Sequence, residues 1–449
     1  IGAESGTYYV SQDKNQKRNV DNVMLCIKED GKKVVDMITE VSVAGKAIRN
    51  DSAIYALALC FAHGDNDTKL HAEKALVKVC RTGTHILMFT AFIKSMRGFG
   101  KVVSRAINSW YYAKSEINLA LQLSKYQNRD GWSHKDVFRL THPKFGSRGP
   151  KYQLSKWVVK GELPTGKTEG QELIQAISKC RGLGPKEAVA YIEKYGLQRE
   201  HLDSQLLNDT MVQKHMLKNL GGTAILRNLG NMSKSGLLAN FSPEVKFICN
   251  KFNDKEFVKG SKLHPLQIFV AQKTYQMGRG FRSDASWPVN TAIVDALEAA
   301  FYLSFDNVEK TNENYFFGLD VSGSMSSKME SNVSCTEVAA VMGLTFAKSQ
   351  PWVFVGGFAS NFVDLKITKS DNLLSASKKA YMSNFGSTNP SAAIEYAIKQ
   401  KMDVDKFVFI TDNDVNSGHN PAKMMKEYRR VMKKPNAKMI VFGLTASSF

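Results

Sequence analysis

The sequence predicts a two-part fold, with α-helical hairpins stacked through residues 1–310 and an α/β domain built on a parallel sheet through residues 311–449. Three observations carry this. From about residue 18 to residue 305 apolar side chains recur at helical spacing, as in Ile54, Leu57, Ala58 and Phe61 or Ile293, Ala296, Leu297 and Ala300. Gly and Pro punctuate those stripes at short intervals, for example Gly31, Gly64, Gly83, Pro143 and Pro265. After residue 310 the period changes to short β-rich runs separated by helical stretches.

In the first part the punctuation leaves helices of roughly 10 to 15 residues joined by short turns. No fixed sequence period is visible, so an irregular HEAT-like array fits better than a strict repeat family. Stacked hairpins of this kind commonly curve and offer a concave binding surface. In the second part YFFGLD (315–320), WVFVGGF (352–358), KFVFITD (406–412) and KMIVFGL (438–444) read as buried parallel strands with crossover helices. Ligands in such folds sit beyond the carboxyl ends of the strands, and two of these runs end there in Asp320 and Asp412.

At 449 residues, 43% hydrophobic and 23% charged, the chain suits a globular protein of two or three domains and excludes a disordered or collagen-like one. Its net charge of +19 makes an acidic partner, nucleic acid first, the class to look for. The excess is uneven, with +15 in residues 1–310 and +4 in residues 311–449. Six scattered cysteines without a CxxC pair point to a reducing compartment, and the expected location is the cytoplasm and also the nucleus. No uncharged apolar run is long enough to span a bilayer, and IGAESGTYYV lacks the pattern of a signal peptide. The chain starts without Met, so its true amino terminus is expected to lie upstream.

LDVSGSM (319–325) sets Asp320, Ser322 and Ser324 at alternate positions past a strand, where a carboxylate and two hydroxyls can converge on one hard cation. Thr388 in FGSTNP and Asp412 in FITDND can complete an oxygen shell suited to magnesium, with a position open to water or to a partner's carboxylate. That is the pattern of the metal-ion-dependent adhesion site of von Willebrand factor A domains. A lone DxSxS is more often a turn bonding its own backbone. Three segments in the right order favour the metal.

GELPTGKT (161–168) satisfies the phosphate-cradling P-loop pattern with Lys167. That mechanism needs a sheet strand before the loop, and Trp157–Val159 is only a three-residue apolar run inside a helical array. The stretch reads as a polar linker. A P-loop NTPase stays as an alternative, decided by whether residues 152–160 form a strand. No GxSxG or HExxH occurs, and His63, His71 and His85 show no zinc-ligand spacing, so no enzyme is expected.

SKYQNRDGWSHKDVFRLTHPKF (124–145) mixes Lys125, Arg129, His134, Lys135, Arg139, His142 and Lys144 with Tyr126, Trp132 and Phe138. Cations neutralise phosphates while aromatic rings and guanidinium planes stack on bases, which favours RNA. Lys94, Arg97, Lys101 and Arg105 form one basic stripe if a helix runs through Gly98 and Gly100. On spacing, Lys125 and Arg129 share a helical face and His142 follows one helix later.

These blocks, with SGTYYV (5–10), REHL (199–202), TAILRNLGNM (223–232), HPLQIFVAQKTYQMGRG (264–280) and ALEAAFY (296–302), make the chain resemble the Ro autoantigen family, whose RNA-binding proteins define the TROVE domain. The resemblance runs nearly end to end. It implies a ring of HEAT-like helices (1–310) closed by a von Willebrand A domain (311–449), with the first 15 residues packing on the latter. It also implies a monomer in noncoding RNA quality control, with a central hole for single-stranded 3′ ends of misfolded RNA and an outer basic surface for structured Y RNAs. By motif position Lys125, Arg129 and His142 fall on residues the family uses for RNA. Residues 150–172 depart from the family in being shorter and richer in Gly, and the A domain ends before its last helix. A metal-dependent protein-binding module is the remaining alternative.

Overall fold

The structure, a computed structural model, describes residues 12–44, 50–280, 284–326, 333–381, 387–412 and 418–444, with residues 12–19 as backbone only. SGTYYV, and with it the expected packing of the first residues on the A domain, lies outside them. The chain divides into two compact units, Gln12–Met216 and Leu217–Phe449.

The first unit is helical: α1 (Gln12–Val43), α2 (Asp51–His63), α3 (Asn66–Val79), α4 (Gly83–Met96), α5 (Lys101–Tyr112), α6 (Glu116–Lys125), α7 (His134–Thr141), α8 (Pro150–Lys160), α9 (Glu169–Cys180), α10 (Pro185–Tyr195), α11 (Ser204–Asn208) and α12 (Thr210–Leu217). Side-chain caps start several of them, Asp65 on α3, Thr82 on α4 and Ser115 on α6, each accepting a backbone N–H three residues on. Helices pack on the neighbour and on the next but one (α1 on α2 and α3, α2 on α4, α3 on α5), which stacks hairpins into an array. Trp110, Tyr111, Phe61 and Phe89 are fully buried between them. Among the described residues its one β element is a two-residue pairing, β1 (Asn128–Arg129) with β2 (Trp132–Ser133).

The second unit opens with α13 (Gly222–Lys234), α14 (Pro243–Asn253), α15 (Lys255–Gly260), α16 (Pro265–Gln276) and α17 (Thr291–Leu303). A five-stranded sheet follows, β3 (Asn314–Asp320), β4 (Trp352–Phe358), β5 (Phe362–Asp364), β6 (Lys406–Thr411) and β7 (Lys438–Gly443), in the order β5-β4-β3-β6-β7. Its helices are α18 (Cys335–Ser349), α19 (Leu373–Tyr381), α20 (Ser391–Lys399) and α21 (Pro421–Val431). The four β-rich runs are all strands and pair parallel, while β5 adds an antiparallel edge that its three residues were too short to announce.

Helices give way to strands near residue 310, yet the compact units divide earlier because α13–α17 share an apolar core with one face of the sheet. Ile268, Phe269, Leu297 and Phe301 join Phe317, Leu319, Val338 and Leu344 in that core. The Tyr302 hydroxyl accepts the Leu373 N–H at 3.0 Å, and Lys273 on α16 pairs with Glu337 on α18 at 3.1 Å. The opposite face, with Phe316, Phe358, Phe407 and Phe409, is covered by α20 and α21 through Ala393, Ile394, Met425 and Tyr428.

Candidate functional site

Two groups of residues hold the chemistry, one in each unit. In the first, α6 ends at Lys125 and the chain turns into a tight hairpin whose loop is Asp130-Gly131. Both loop residues have positive φ, 51° and 77°, which is the type I′ geometry that matches the twist of paired strands and that Asp-Gly favours. Gly83, opening α4, lets this region close up, since a Cβ there would sit 2.8 Å from Tyr126 Cβ and 3.0 Å from the Gln122 carbonyl. Ser133 then starts α7 with a reciprocal capping box to Asp136.

Lys125 and Arg129 therefore do not share a helical face, because the helix ends between them. Lys125 Nζ donates to Gln198 Oε1 at 2.6 Å and lies 3.9 Å from Glu200, while Arg129 is exposed on β1 beside Asp130. Lys135 and Arg139, four apart on α7, share an exposed face, and His142 caps the far end in the left-handed conformation, about 12 Å along by helical rise. The result is a line of exposed basic side chains along α7 from Arg129 to Lys144.

His134 does not belong to that line. It is 2% exposed, with Nδ1 at 2.7 Å from the Tyr111 hydroxyl, and burial pushes its pKa down to about 4, so it is a neutral core residue. It lies on the buried face of α7 with Val137, Phe138 and Thr141, while Lys135 and Arg139 face solvent. The stripe from Lys94 to Arg105 is also broken: α4 stops at Met96, Gly98 has φ 104°, and Arg97 turns back to donate to the Phe61 carbonyl. Lys101 and Arg105 remain exposed one turn apart on α5, with Arg105 held bidentately by Glu73 at 2.6 Å.

Sequence reasoning missed the residues of REHL that act on Lys125. His201, 4% exposed, accepts the Gln198 N–H on Nδ1 at 3.0 Å and faces Ser124 Oγ with Nε2 at 3.2 Å. Ser124 already donates to the Ala120 carbonyl, so Nε2 carries the proton and the ring is neutral; burial sets its pKa at about 4. His201 thus fixes Gln198, which fixes Lys125.

GELPTGKT has no strand before it, because residues 152–160 lie in α8. Thr168 caps α9, and Glu116 reaches across from α6 to accept from Thr168 Oγ1 at 2.9 Å and from the Gly170 N–H at 3.0 Å. A carboxylate therefore holds the helix terminus where a P-loop would cradle phosphate. The nucleotide-binding alternative fails on both counts.

In the second unit β4 and β6 flank β3 on opposite sides, a topological switch point with Asp320 and Asp412 at its carboxyl edge. Asp320 is fully buried; its Oδ1 accepts the Ser322 N–H at 2.9 Å and its Oδ2 accepts from Thr411 Oγ1 at 2.6 Å. Burial raises its pKa to about 6 against the pull of those hydrogen bonds, and the nearby Asp412 charge adds to the rise. Ser322 Oγ stands 3.1 Å from Ser324 Oγ. Thr388 is 1% exposed in a loop tied to the end of β4 by the Asn389 N–H to the Ala359 carbonyl, and Asp412 is 6% exposed. Two carboxylates and three hydroxyls, with no trio of His, Cys, Asp or Glu among the described residues, form an all-oxygen donor set of the kind a hard divalent cation takes, so they fit the expected metal.

Comparison with known proteins decides the family. A family model described as the TROVE domain matches residues 1–168 and 195–277, and one described as the Ro60 vWA domain matches residues 314–449. The chain belongs to the Ro family. The RNA-binding protein RO60 of Deinococcus radiodurans is 33% identical over 464 aligned residues, covering 100% of this chain and 85% of that protein. The RNA-binding protein RO60 of Caenorhabditis elegans is 28% identical over 528, covering 100% and 82%. The crystal structure of the Deinococcus radiodurans Ro (RSR) protein matches with a TM-score of 0.89 at 32% identity, covering 100% of this chain and 91% of that one. Arg129, Lys135, Arg139 and His142 of this Ro-family chain lie inside the TROVE match, and the gap within that match, residues 169–194, holds α9 and all of α10 but its last residue.

Proposed function

We propose that this protein binds RNA and acts in noncoding RNA quality control without bond chemistry. The observation that carries the reading is the line of exposed basic side chains along the hairpin and α7, built within a TROVE match whose RO60 relatives are named RNA-binding proteins. Such side chains neutralise phosphate without reading sequence. Discrimination then comes from shape: a hole that admits a free single-stranded 3′ end takes misfolded RNA, while the outer basic surface takes structured Y RNAs. The protein works as a monomer in the cytoplasm or nucleus. Asp320, Ser322, Ser324, Thr388 and Asp412 would hold magnesium, a Lewis acid that leaves one position for water or for an acidic side chain of a protein partner.

Titrating a hairpin RNA with a single-stranded 3′ tail at several salt concentrations tests this. Six or more phosphate contacts require affinity to fall about a thousandfold between 50 and 200 mM salt. A flat response overturns the electrostatic reading.

A further inference from the structure

Phe241 is 91% exposed and sits at φ 65° in the turn between α13 and α14. Both properties are costly for an aromatic residue. A bulky side chain at positive φ is a genuine outlier, and among the described residues Phe241 is the one apolar side chain found there. Asp130, Asn312 and the lysines at positive φ keep their polar ends in water, as Phe241 cannot.

The turn is held firmly in this form. Asn290, 4% exposed, donates from Nδ2 both to the Leu238 carbonyl at 3.2 Å and to Asn240 Oδ1 at 3.1 Å. Its Oδ1 accepts the Ala292 N–H at 3.1 Å, which anchors it to the start of α17. Ser242 closes the other side, donating its N–H to the Ala239 carbonyl and its hydroxyl to the Leu237 carbonyl, both at 3.1 Å. Strain maintained by a surrounding network marks sites where the strained group serves a ligand.

Among the described residues Phe241 joins no hydrophobic core. Ser242 is the cap of α14, so Phe241 occupies the position before the cap, where an apolar residue usually packs on the fourth helical residue. That residue is Lys246, which is exposed. The exposed residues closest to Phe241 in the chain are small or polar apart from Pro243, namely Ala239, Asn240 and Lys246, with Lys234 closing α13. A protein-docking patch needs contiguous apolar area of a few hundred Å², which one ring does not supply. A lone ring beside lysines and a helix N-terminus instead offers a π-face for a base and positive charge for its phosphate.

We infer that Phe241 is a stacking platform for an unpaired RNA base, with Lys234 and Lys246 neutralising the adjacent phosphates. This rests on the RNA-binding reading and adds to it a site that recognises single-stranded RNA without sequence choice.

The full-length protein, its Phe241→Gly and its Phe241→Trp variant are titrated with a hairpin RNA carrying a single-stranded oligouridylate tail and with the same hairpin blunt-ended. A tail containing 5-bromouridine is photocrosslinked to the parent and the linked peptide mapped. Phe241→Gly should weaken binding of the tailed RNA about tenfold, leave the blunt hairpin unchanged, and raise the melting temperature because the positive φ is relieved. Phe241→Trp should retain affinity and show quenching of the added fluorescence on binding, and the crosslink should map to residue 241. A purely structural role would instead lower the melting temperature in Phe241→Gly. Parent and Phe241→Gly proteins that bind the tail equally, with no crosslink at residue 241, refute the stacking site alone. Failure of the parent to bind either RNA refutes the RNA reading itself. Loss of self-association in Phe241→Gly with unchanged RNA affinity would assign the ring to a protein contact and also overturn the inference.

Discussion

The basic line along α7 and the carboxyl edge of the sheet solve opposite problems. On α7 the charged ends are exposed and spaced along a helix, so each acts nearly alone. At the sheet edge Asp320, Ser322, Thr388 and Asp412 are buried, and if they hold one cation as proposed, removing one spoils the set. Spread exposed charge gives affinity that tolerates many partners. Converging buried oxygens give a single geometry and therefore one class of ligand. The same contrast predicts large, all-or-none effects at the edge and small, additive ones on α7.

The largest effect is expected from Asp320→Ala. Calorimetry should show complete loss of magnesium binding while RNA affinity in the folded variant stays within about twofold of the parent, since the two sets of residues belong to different compact units and share no partner. Equal loss of both would erase the distinction between the regions.

Acid comes next. His134 is neutral in the fold with its pKa near 4, against about 6.5 when unfolded, so the unfolded chain binds the extra proton in between. Its contribution is full above pH 6.5 and is lost as pH falls toward 4, by up to about 3 kcal/mol. Denaturant unfolding of the parent at pH 7 and pH 4.5 should show a drop that His134→Gln reduces. An identical pH dependence in the variant would return His134 to the surface.

At the basic line and the Lys125 that precedes it, Lys125→Ala and Arg129→Ala should each lower the log-log salt slope of RNA binding by about one unit. His142→Ala should weaken binding with little change of slope near neutral pH. If a folded triple variant keeps full affinity, the RNA surface lies elsewhere on the array. Smallest of all, Lys167→Ala should change nothing: no ATP or GTP binding in either protein and the same RNA affinity, because Glu116 already holds the α9 terminus.

The placement of Asp320 and Asp412 at the carboxyl ends of β3 and β6 was legible because backbone features that sequence writes locally, a strand ending and a DxSxS turn, set it. The α7 region was legible only as composition. Which basic residues face water depends on where helices stop, and spacing sets Lys125 and Arg129 on one helix although Asp130-Gly131, just past Arg129, carries the hairpin signal. His134 looks like its basic neighbours until Tyr111, 23 residues away, turns it inward. The Gln198 and His201 support of Lys125 spans more than 70 residues and leaves no local trace.

The core that α16 and α17 share with β3 and α18 has a consequence for how such a protein can be assembled from parts. An A domain with its own closed interior can be moved between chains like a bead on a string. Here one face of the sheet is sealed by Ile268, Phe269, Leu297 and Phe301 from the preceding helices, so the sheet inherits its partner along with its sequence. Substitutions on α16 and on β3 act on one shared interior, so a change of shape in either is felt by the other although their chemistries differ.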